Sequence, residues 1–460
     1  MPNRSGTADE LFLIPYTDGK YCLYAPLQRT TAIINATAAH VISKYLETGE
    51  KGLTSKEIGI IHQLKDGGLF GNEMPEPPLF PDNYTFCPHE VTLFLTSRCN
   101  LRCRYCYADA GYKSIDMPWE VAKAAIDLCA DNAGLLGSRA FAVGFHGGGE
   151  PTVAWRMMVR CVEYAKEKAE SKGLDVEIFS ATNGFLSLHQ REYMAKHFTN
   201  INVSLDGPKS IQDYNRPTLD NRGSFDQVRD TLRYFDNAGL KYGIRSTITK
   251  ASVHRMVEIV ESLHHQFNFM YLQLEPVWHC GRCITSEEPP PLDEDFITNF
   301  IKAFKRGQEL GIQVTYSGAR LDTLTSKFCA APGDGFTVLP EGIVTSCYEV
   351  LEPTDPKASI FHYGQYNPLT NTFDFDAYRI SKLRDLTVNN LAFCKDCFCK
   401  WHCAGDCLSK AFEVSKSTIH QGTNRCTINR ALTLAWLKMT IEKEDIQPRD
   451  TGENDARQTR

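Results

Sequence analysis

The chain has 460 residues, 42% hydrophobic and 23% charged, with a formal net charge of −6. This is the balance of a soluble globular protein; it gives no basic surface to mark nucleic acid as the main partner, and no apolar run is long enough to span a bilayer. The opening Met-Pro-Asn-Arg-Ser-Gly leads into no signal-peptide core, so a cytoplasmic location is expected.

Residues 11–34 hold three short apolar runs, Leu-Phe-Leu-Ile-Pro, Tyr-Cys-Leu-Tyr-Ala and Thr-Ala-Ile-Ile, which read as strands. Helical patterns follow over 37–46 and 55–64, the second capped by Thr54 or Ser55, so residues 1–66 form a small α+β domain. Residues 67–86 are rich in Gly, Pro and Asn and read as a linker. Strands are then predicted at 91–96, 140–145, 176–182, 201–205, 242–248 and 271–274. They alternate with helices at 118–133, 153–172, 188–197, 225–237, 253–266 and 293–310. Six βα units with near-continuous apolar strands predict a helix-covered parallel sheet, too few for a closed eight-stranded barrel. The expected fold class is α/β: a partial (β/α)6 TIM-like barrel over 87–316, with function at the C-terminal strand ends. The rhythm stops near residue 317. Residues 317–445 read as loop-rich and close on a helix at about 427–443, and the polar stretch 446–460 is expected to be disordered.

Seventeen cysteines in a reducing compartment point to metal binding rather than disulfides. Cys22, Cys87, Cys129 and Cys161 stand alone and read as small apolar residues. Cys99, Cys103 and Cys106 follow the first barrel strand in the segment Cys-Asn-Leu-Arg-Cys-Arg-Tyr-Cys. Three thiolates can hold a 4Fe–4S cube and leave one iron open to a small molecule that chelates through an amine and a carboxylate. Zinc is the alternative, although structural zinc sites prefer four ligands. The second strand runs into His146-Gly147-Gly148-Gly149-Glu150-Pro151-Thr152. Glycines let backbone approach a ligand, and Glu150 offers an acceptor for an ammonium group.

Cys-x3-Cys-x2-Cys with Tyr105 before the last cysteine, followed one βα unit later by Gly148-Gly149-Glu150-Pro151, resembles the radical S-adenosylmethionine (SAM) superfamily over residues 88–316. The resemblance implies a 4Fe–4S cluster on Cys99, Cys103 and Cys106 that cleaves SAM. It also implies SAM contacts from Tyr105, Gly148, Gly149, Glu150, Pro151, Asn183, Ser204 and Arg216, an Arg–carboxylate pair among them. Thr182-Asn183-Gly184, Ser204-Leu205-Asp206-Gly207 and Arg245-Ser246-Thr247 supply further polar groups at strand ends.

Farther on, Cys329-x12-Gly342-x4-Cys347, then Cys394-x2-Cys397-x5-Cys403-x3-Cys407 and Cys426, resembles the SPASM domain, which carries two auxiliary 4Fe–4S clusters. On that resemblance Cys329, Cys347 and Cys407 hold the first, and Cys394, Cys397, Cys403 and Cys426 the second. The first then lacks a fourth protein ligand, for which Cys280, Cys283, water or a substrate thiol are open. Cys399 lies outside the pattern and reads as a free thiol. Residues 8–66 resemble a winged-helix leader-peptide recognition domain, which would bind a peptide by strand addition; a structural cap is the plainer reading.

The implied activity is reductive SAM cleavage to a 5′-deoxyadenosyl radical, which takes hydrogen from a peptide or protein and installs a post-translational modification. A low-potential donor such as flavodoxin or ferredoxin would feed it electrons. An anaerobic sulfatase maturase, forming formylglycine, is an alternative. Those enzymes place an Asp base after the second cysteine of the first auxiliary site, whereas here Cys347-Tyr348-Glu349 leaves Glu349 as the candidate base, with Glu275 another. A non-catalytic iron–sulfur scaffold is the alternative from a different class.

Overall fold

The computed structural model describes residues 10–68, 85–333, 335–417 and 420–446. Most of the expected linker and nearly all of the expected disordered tail lie outside them.

Strands β1 (Phe12–Pro15), β2 (Tyr21–Ala25) and β3 (Thr30–Ile34) form an antiparallel meander, followed by helices α1 (Ala36–Thr48) and α2 (Ser55–Asp66). Thr54 is the cap of α2: its hydroxyl accepts from the Glu57 N–H at 3.4 Å, while its own N–H donates to the Glu57 carboxylate at 2.7 Å.

The main body alternates as its apolar periodicity predicts. β4 (Glu90–Phe94), α3 (Trp119–Leu135), β5 (Ala140–His146), α4 (Trp155–Lys172), β6 (Asp175–Thr182), α5 (Leu188–His197) and β7 (Asn200–Ser204) come first. Then follow α6 (Lys209–Asn215), α7 (Phe225–Ala238), β8 (Tyr242–Ile248), α8 (Met256–His264), β9 (Tyr271–Pro276), α9 (Arg282–Thr285), α10 (Asp293–Leu310) and β10 (Gln313–Thr315). Strands β4 to β10 are parallel and in sequence order, so the α/β partial-barrel pattern stands. Cys129 and Cys161 are buried in its core on α3 and α4, as their isolation in sequence suggested.

The region expected to be loop-rich adds four strands to the same sheet: β11 (Thr337–Val338), β12 (Ile343–Thr345), β13 (His362–Asn367) and β14 (Thr372–Phe375). β11 runs parallel to β4, with Thr337 opposite Thr92, and the other three extend it antiparallel to make eleven strands. Strands of two to six residues are too short to display an alternation that sequence can report. Between and after them lie α11 (Ala358–Phe361), α12 (Ala377–Arg384), α13 (Lys400–Cys403), α14 (Leu408–Ser415) and α15 (Cys426–Ile446).

The N-terminal sheet has two apolar faces. One packs on α1 and α2, with Leu11, Leu23, Ile42 and Ile61 fully buried. The other, Phe12, Ile14, Cys22 and Tyr24, packs on Phe398, Cys399 and Cys403 and on Leu437 and Ile441 of α15. Three successive residues of α13 fasten that contact: Lys400 and Trp401 donate to Glu10, and His402 Nε2 lies 2.5 Å from the Tyr24 hydroxyl. Among the described residues no helix is long and apolar enough to cross a membrane.

Candidate active site

The Cys99–Cys106 loop leaves the C-terminal end of β4 and is curled by its own side chains. Arg102 donates to the carbonyls of Cys99, Leu101 and Gly111 at 2.9–3.1 Å. From α9, Arg282 donates to the carbonyls of Cys103 and Ala110 at 3.0 and 2.7 Å and pairs with Asp109 at 3.0 Å. Gly281 permits that approach: its φ is +54°, and a Cβ there would lie 2.4 Å from the Cys106 carbonyl.

Every sulfur of the loop has an N–H turned toward it. Leu101 N lies 3.5 Å from Cys99 Sγ and Ala110 N 3.5 Å from Cys106 Sγ. Asn183 Nδ2 is 3.9 Å from Cys99 Sγ, and Arg216 Nη1 is 4.0 Å from Cys103 Sγ. Burial, together with neighbouring charge, pushes the free Cys99 and Cys103 thiols up to about 11 and about 12. Sulfurs that are costly to ionise alone, yet surrounded by N–H donors, fit thiolates that share the charge of an iron–sulfur cluster.

The glycine segment closes on the loop from β5. Glu150 N donates to Arg98 O at 2.8 Å, and a Cβ on Gly149 would meet that carbonyl at 2.2 Å. Gly149→Ala is therefore expected to force the two segments apart and to weaken binding of the SAM implied by the sequence resemblance at least tenfold by equilibrium dialysis, with the fold retained by circular dichroism. Glu150 caps the turn Pro151–Ala154, and its Oε1 accepts from Thr152 Oγ1 at 2.7 Å and Thr182 Oγ1 at 2.8 Å. Among the described residues its Oε2 accepts only the Asn183 N–H, at 2.7 Å, which leaves capacity for one more donor. Burial raises its pKa against the pull of these bonds. Gly148 lies against Leu351, and Ser204 ends β7 in register with Arg245 on β8.

Asp206 organises the next strand end. It is fully buried and accepts from Arg216 Nε at 3.0 Å, Thr247 N at 3.0 Å, Asn215 Nδ2 at 2.9 Å and the Tyr105 hydroxyl. Arg216 thus spans from Asp206 to Cys103. Sequence reading quoted Asp206 inside a strand-end segment but chose Ser204; only the convergence of positions 105, 215, 216 and 247 marks the aspartate.

The second cysteine region meets the barrel at this mouth. The Tyr348 ring packs on His146 at 4.6 Å and its hydroxyl lies 3.0 Å from Thr92 Oγ1. Burial and then Arg245 depress His146 to about 4, so it is neutral at physiological pH. Tyr107, beside Cys106, donates to Gly147 O at 2.9 Å and feels both Glu349 and Cys347; it is a contact that sequence reading missed. Glu349 pairs with Lys410 at 3.4 Å. Burial opposes its ionisation, but Lys410 and Lys357 outweigh it and hold the carboxyl below its ordinary range. Glu275 is differently placed: Ser317 N and Gln273 donate to one oxygen at 2.7 Å, Ser317 Oγ donates to the other at 2.9 Å, and Arg425 lies 3.8 Å away.

Cys329, Cys347 and Cys407 interact electrostatically with one another and with Glu349. Cys280 faces Glu349, Glu413 and Lys410, whereas Cys283 is fully buried against Tyr105 and donates to Glu288 O at 2.7 Å. Cys394, Cys397, Cys403 and Cys426 form a second group, with Cys399 Sγ 3.4 Å from Cys397 Sγ. Among the described residues no three His, Cys, Asp or Glu side chains converge on a single point. A cavity of about 640 Å³ opens between the β9–α10 connection and the C-terminal region, walled by Trp278, Cys280, Lys357, Phe412 and Glu413. Its lining does not include Glu150, Asn183, Ser204 or Arg216.

Residues 93–263 match the family model described as Radical SAM superfamily. An Fe-coproporphyrin III synthase of Methanosarcina barkeri is 33% identical over 177 residues, 37% of this chain and 40% of that protein. A cysteine-type anaerobic sulfatase-maturating enzyme of Clostridium perfringens is 25% identical over 337 residues, 68% of this chain and 86% of that one. The chain thus spans less than half of the first relative and most of the second. Among solved structures, anSMEcpe with bound AdoMet superposes with a TM-score of 0.61 at 16% identity, over 78% of this chain and 96% of that one. Streptococcus suis SuiB bound to precursor peptide SuiA gives 0.51 at 14% identity, over 92% of this chain and 99% of that one.

Proposed function

The chain is a member of the radical SAM superfamily through residues 93–263, and from that premise we propose that it modifies a peptide or protein substrate by radical chemistry. Cys99, Cys103 and Cys106 would hold the 4Fe–4S cluster, and Tyr105, Gly148, Gly149, Glu150, Pro151, Asn183, Ser204 and Arg216 would surround SAM. Bound there, cluster and SAM together supply a one-electron cleavage that yields methionine and a 5′-deoxyadenosyl radical. Glu150, whose Oε2 has capacity for a further donor, would receive the SAM amino group. The Asp206–Arg216 pair braces Cys103 and presents a fixed positive charge beside it. Cys329, Cys347 and Cys407, and Cys394, Cys397, Cys403 and Cys426, would carry auxiliary clusters that take up the electron left on the substrate. A flavodoxin or ferredoxin would supply reducing equivalents.

The observation that carries this reading is the docking of the Cys347–Glu349 segment onto the mouth of the barrel through Tyr348, His146 and Tyr107. It sets Glu349 within electrostatic reach of Tyr107, next to the first cysteine loop, and of Cys280, a wall of the cavity that we assign to the substrate. Glu349 then accepts the substrate proton, and Glu275 ties β9 to Ser317 and Arg425. Among the described residues the outer edges of β1 and β3 pair with no further strand, which suits them to receiving a leader segment. Its likeness to a winged-helix recognition domain belongs to the same proposal.

The test is anaerobic incubation of the reconstituted protein with SAM, dithionite and peptides encoded beside its gene, read by mass spectrometry. Loss of two hydrogens in a peptide supports crosslinking. An aldehyde in place of a cysteine thiol, trapped by a hydrazide, supports formylglycine formation instead, the reading favoured by the long match to the Clostridium perfringens enzyme. No change in any peptide, with SAM still cleaved, would sink the peptide assignment. Glu349→Gln is expected to slow product formation by about 10²–10⁴-fold, the usual range for a general base, while SAM cleavage without product continues. Because Glu349 is held below the ordinary carboxylate range, its proton-accepting form persists as pH falls toward 5. A product rate that dropped between pH 7 and 6 would assign the base elsewhere.

A further inference from the structure

Four thiols suffice for a 4Fe–4S cube, yet the region proposed for the second auxiliary cluster brings five together. Cys394, Cys403 and Cys399 are 6%, 8% and 1% exposed, and Cys397 and Cys426 are half-buried. The fifth, Cys399, falls outside the spacing that singles out the other four, but it is not a distant core residue. Its sulfur lies 3.4 Å from that of Cys397, closer than two separate corners of a cube would hold their ligands, and both belong to the packed group that includes Cys403. The intervening Phe398 is buried, and the Cys399 thiol also hydrogen-bonds Cys403. The backing of Cys397 and Cys399 differs. Cys399 lies under Cys22 and Tyr24 of the N-terminal sheet, and Arg430 of α15 interacts most strongly with Cys397.

We propose that Cys397 and Cys399 are alternative ligands for a single corner of the second auxiliary cluster, either of which can complete its coordination. The inference rests on the twin-cluster reading above. It gives the cluster a reserve ligand inside the shell formed with the N-terminal sheet, so that loss or modification of one thiol does not open the corner.

The experiment compares iron and sulfide content, and electron paramagnetic resonance of the reduced protein, in anaerobically reconstituted full-length variants. Cys394→Ala serves as the control for loss of that cluster and is expected to lack about a third of the wild-type iron. Cys397→Ala and Cys399→Ala are each expected to keep the wild-type iron content, and Cys397→Ala to shift the resonance of one cluster. The double variant is expected to match the Cys394→Ala control. Loss of a third of the iron from either single variant overturns the proposal, as does retention of full iron by the double variant. If Cys397→Ala does not fold by circular dichroism, Cys397→Val applies the same criteria with no atom that can ligate iron. Wild-type protein holding only two clusters, with Cys394→Ala no different, would overturn the twin-cluster reading and this inference with it.

Discussion

Cys103→Ala is expected to abolish SAM cleavage, lowering 5′-deoxyadenosine formation by at least about 10³-fold, or roughly 4 kcal/mol of lost transition-state stabilisation. The loop offers three sulfurs where a cube has four irons, and its N–H donors and the Arg216 guanidinium are already directed at those sulfurs. Alanine at 103 leaves two ligands and strands Arg216 beside a methyl group. The auxiliary thiols are untouched, so about two thirds of the iron should remain. Chromatography of the anaerobic, dithionite-reduced reaction measures the first quantity, and iron analysis the second. Undiminished 5′-deoxyadenosine from this variant would remove the loop from the chemistry. A wild-type protein with intact clusters and no 5′-deoxyadenosine at all would favour the scaffold alternative.

Asp206→Ala should be the most destabilising substitution in the barrel, at about 3–5 kcal/mol, the cost of leaving a buried charge without its partner. The aspartate has no solvent exposure and receives Arg216, Thr247 N, Asn215 and Tyr105 together. Without it, a guanidinium that is itself 8% exposed is unpaired, and three further donors lose their acceptor. Asp206→Asn should recover little, because an amide brings two N–H donors to a point where donors already converge. Urea unfolding followed by fluorescence measures the change; a loss below about 1 kcal/mol would mean that Asp206 does not organise this strand end.

The barrel was legible because its strands are continuous apolar runs and its helices carry clean boundaries. α5 begins after Ser187, which forms a capping box with Gln190, and its observed span coincides with the predicted one. The C-terminal strands were not legible because their pairing is remote: Thr337 finds Thr92 across more than half the chain, and no local pattern encodes that register. The same distinction runs through the site. Cys99, Cys103, Cys106 and Glu150 stand out as candidates by spacing alone, since the motifs that carry them are short and local, although their partners Thr182, Asn183 and Arg216 are distant in sequence. Asp206, Tyr107 and the pairing of Cys399 with Cys397 depend on what the fold brings together. The roles of Glu275 and Glu349 likewise look equivalent in sequence and separate only through their neighbours, Ser317 and Arg425 for one, Lys410 and Lys357 for the other.

The fastening of Glu10 and Tyr24 to Lys400, Trp401 and His402 has a consequence for biosynthesis. The outer face of the N-terminal sheet finds its cover only in residues some 390 positions later, so the nascent meander waits with Phe12 and Ile14 bare. A contact between residues 390 positions apart is slow to close, and exposed apolar strands are prone to aggregation in the interval.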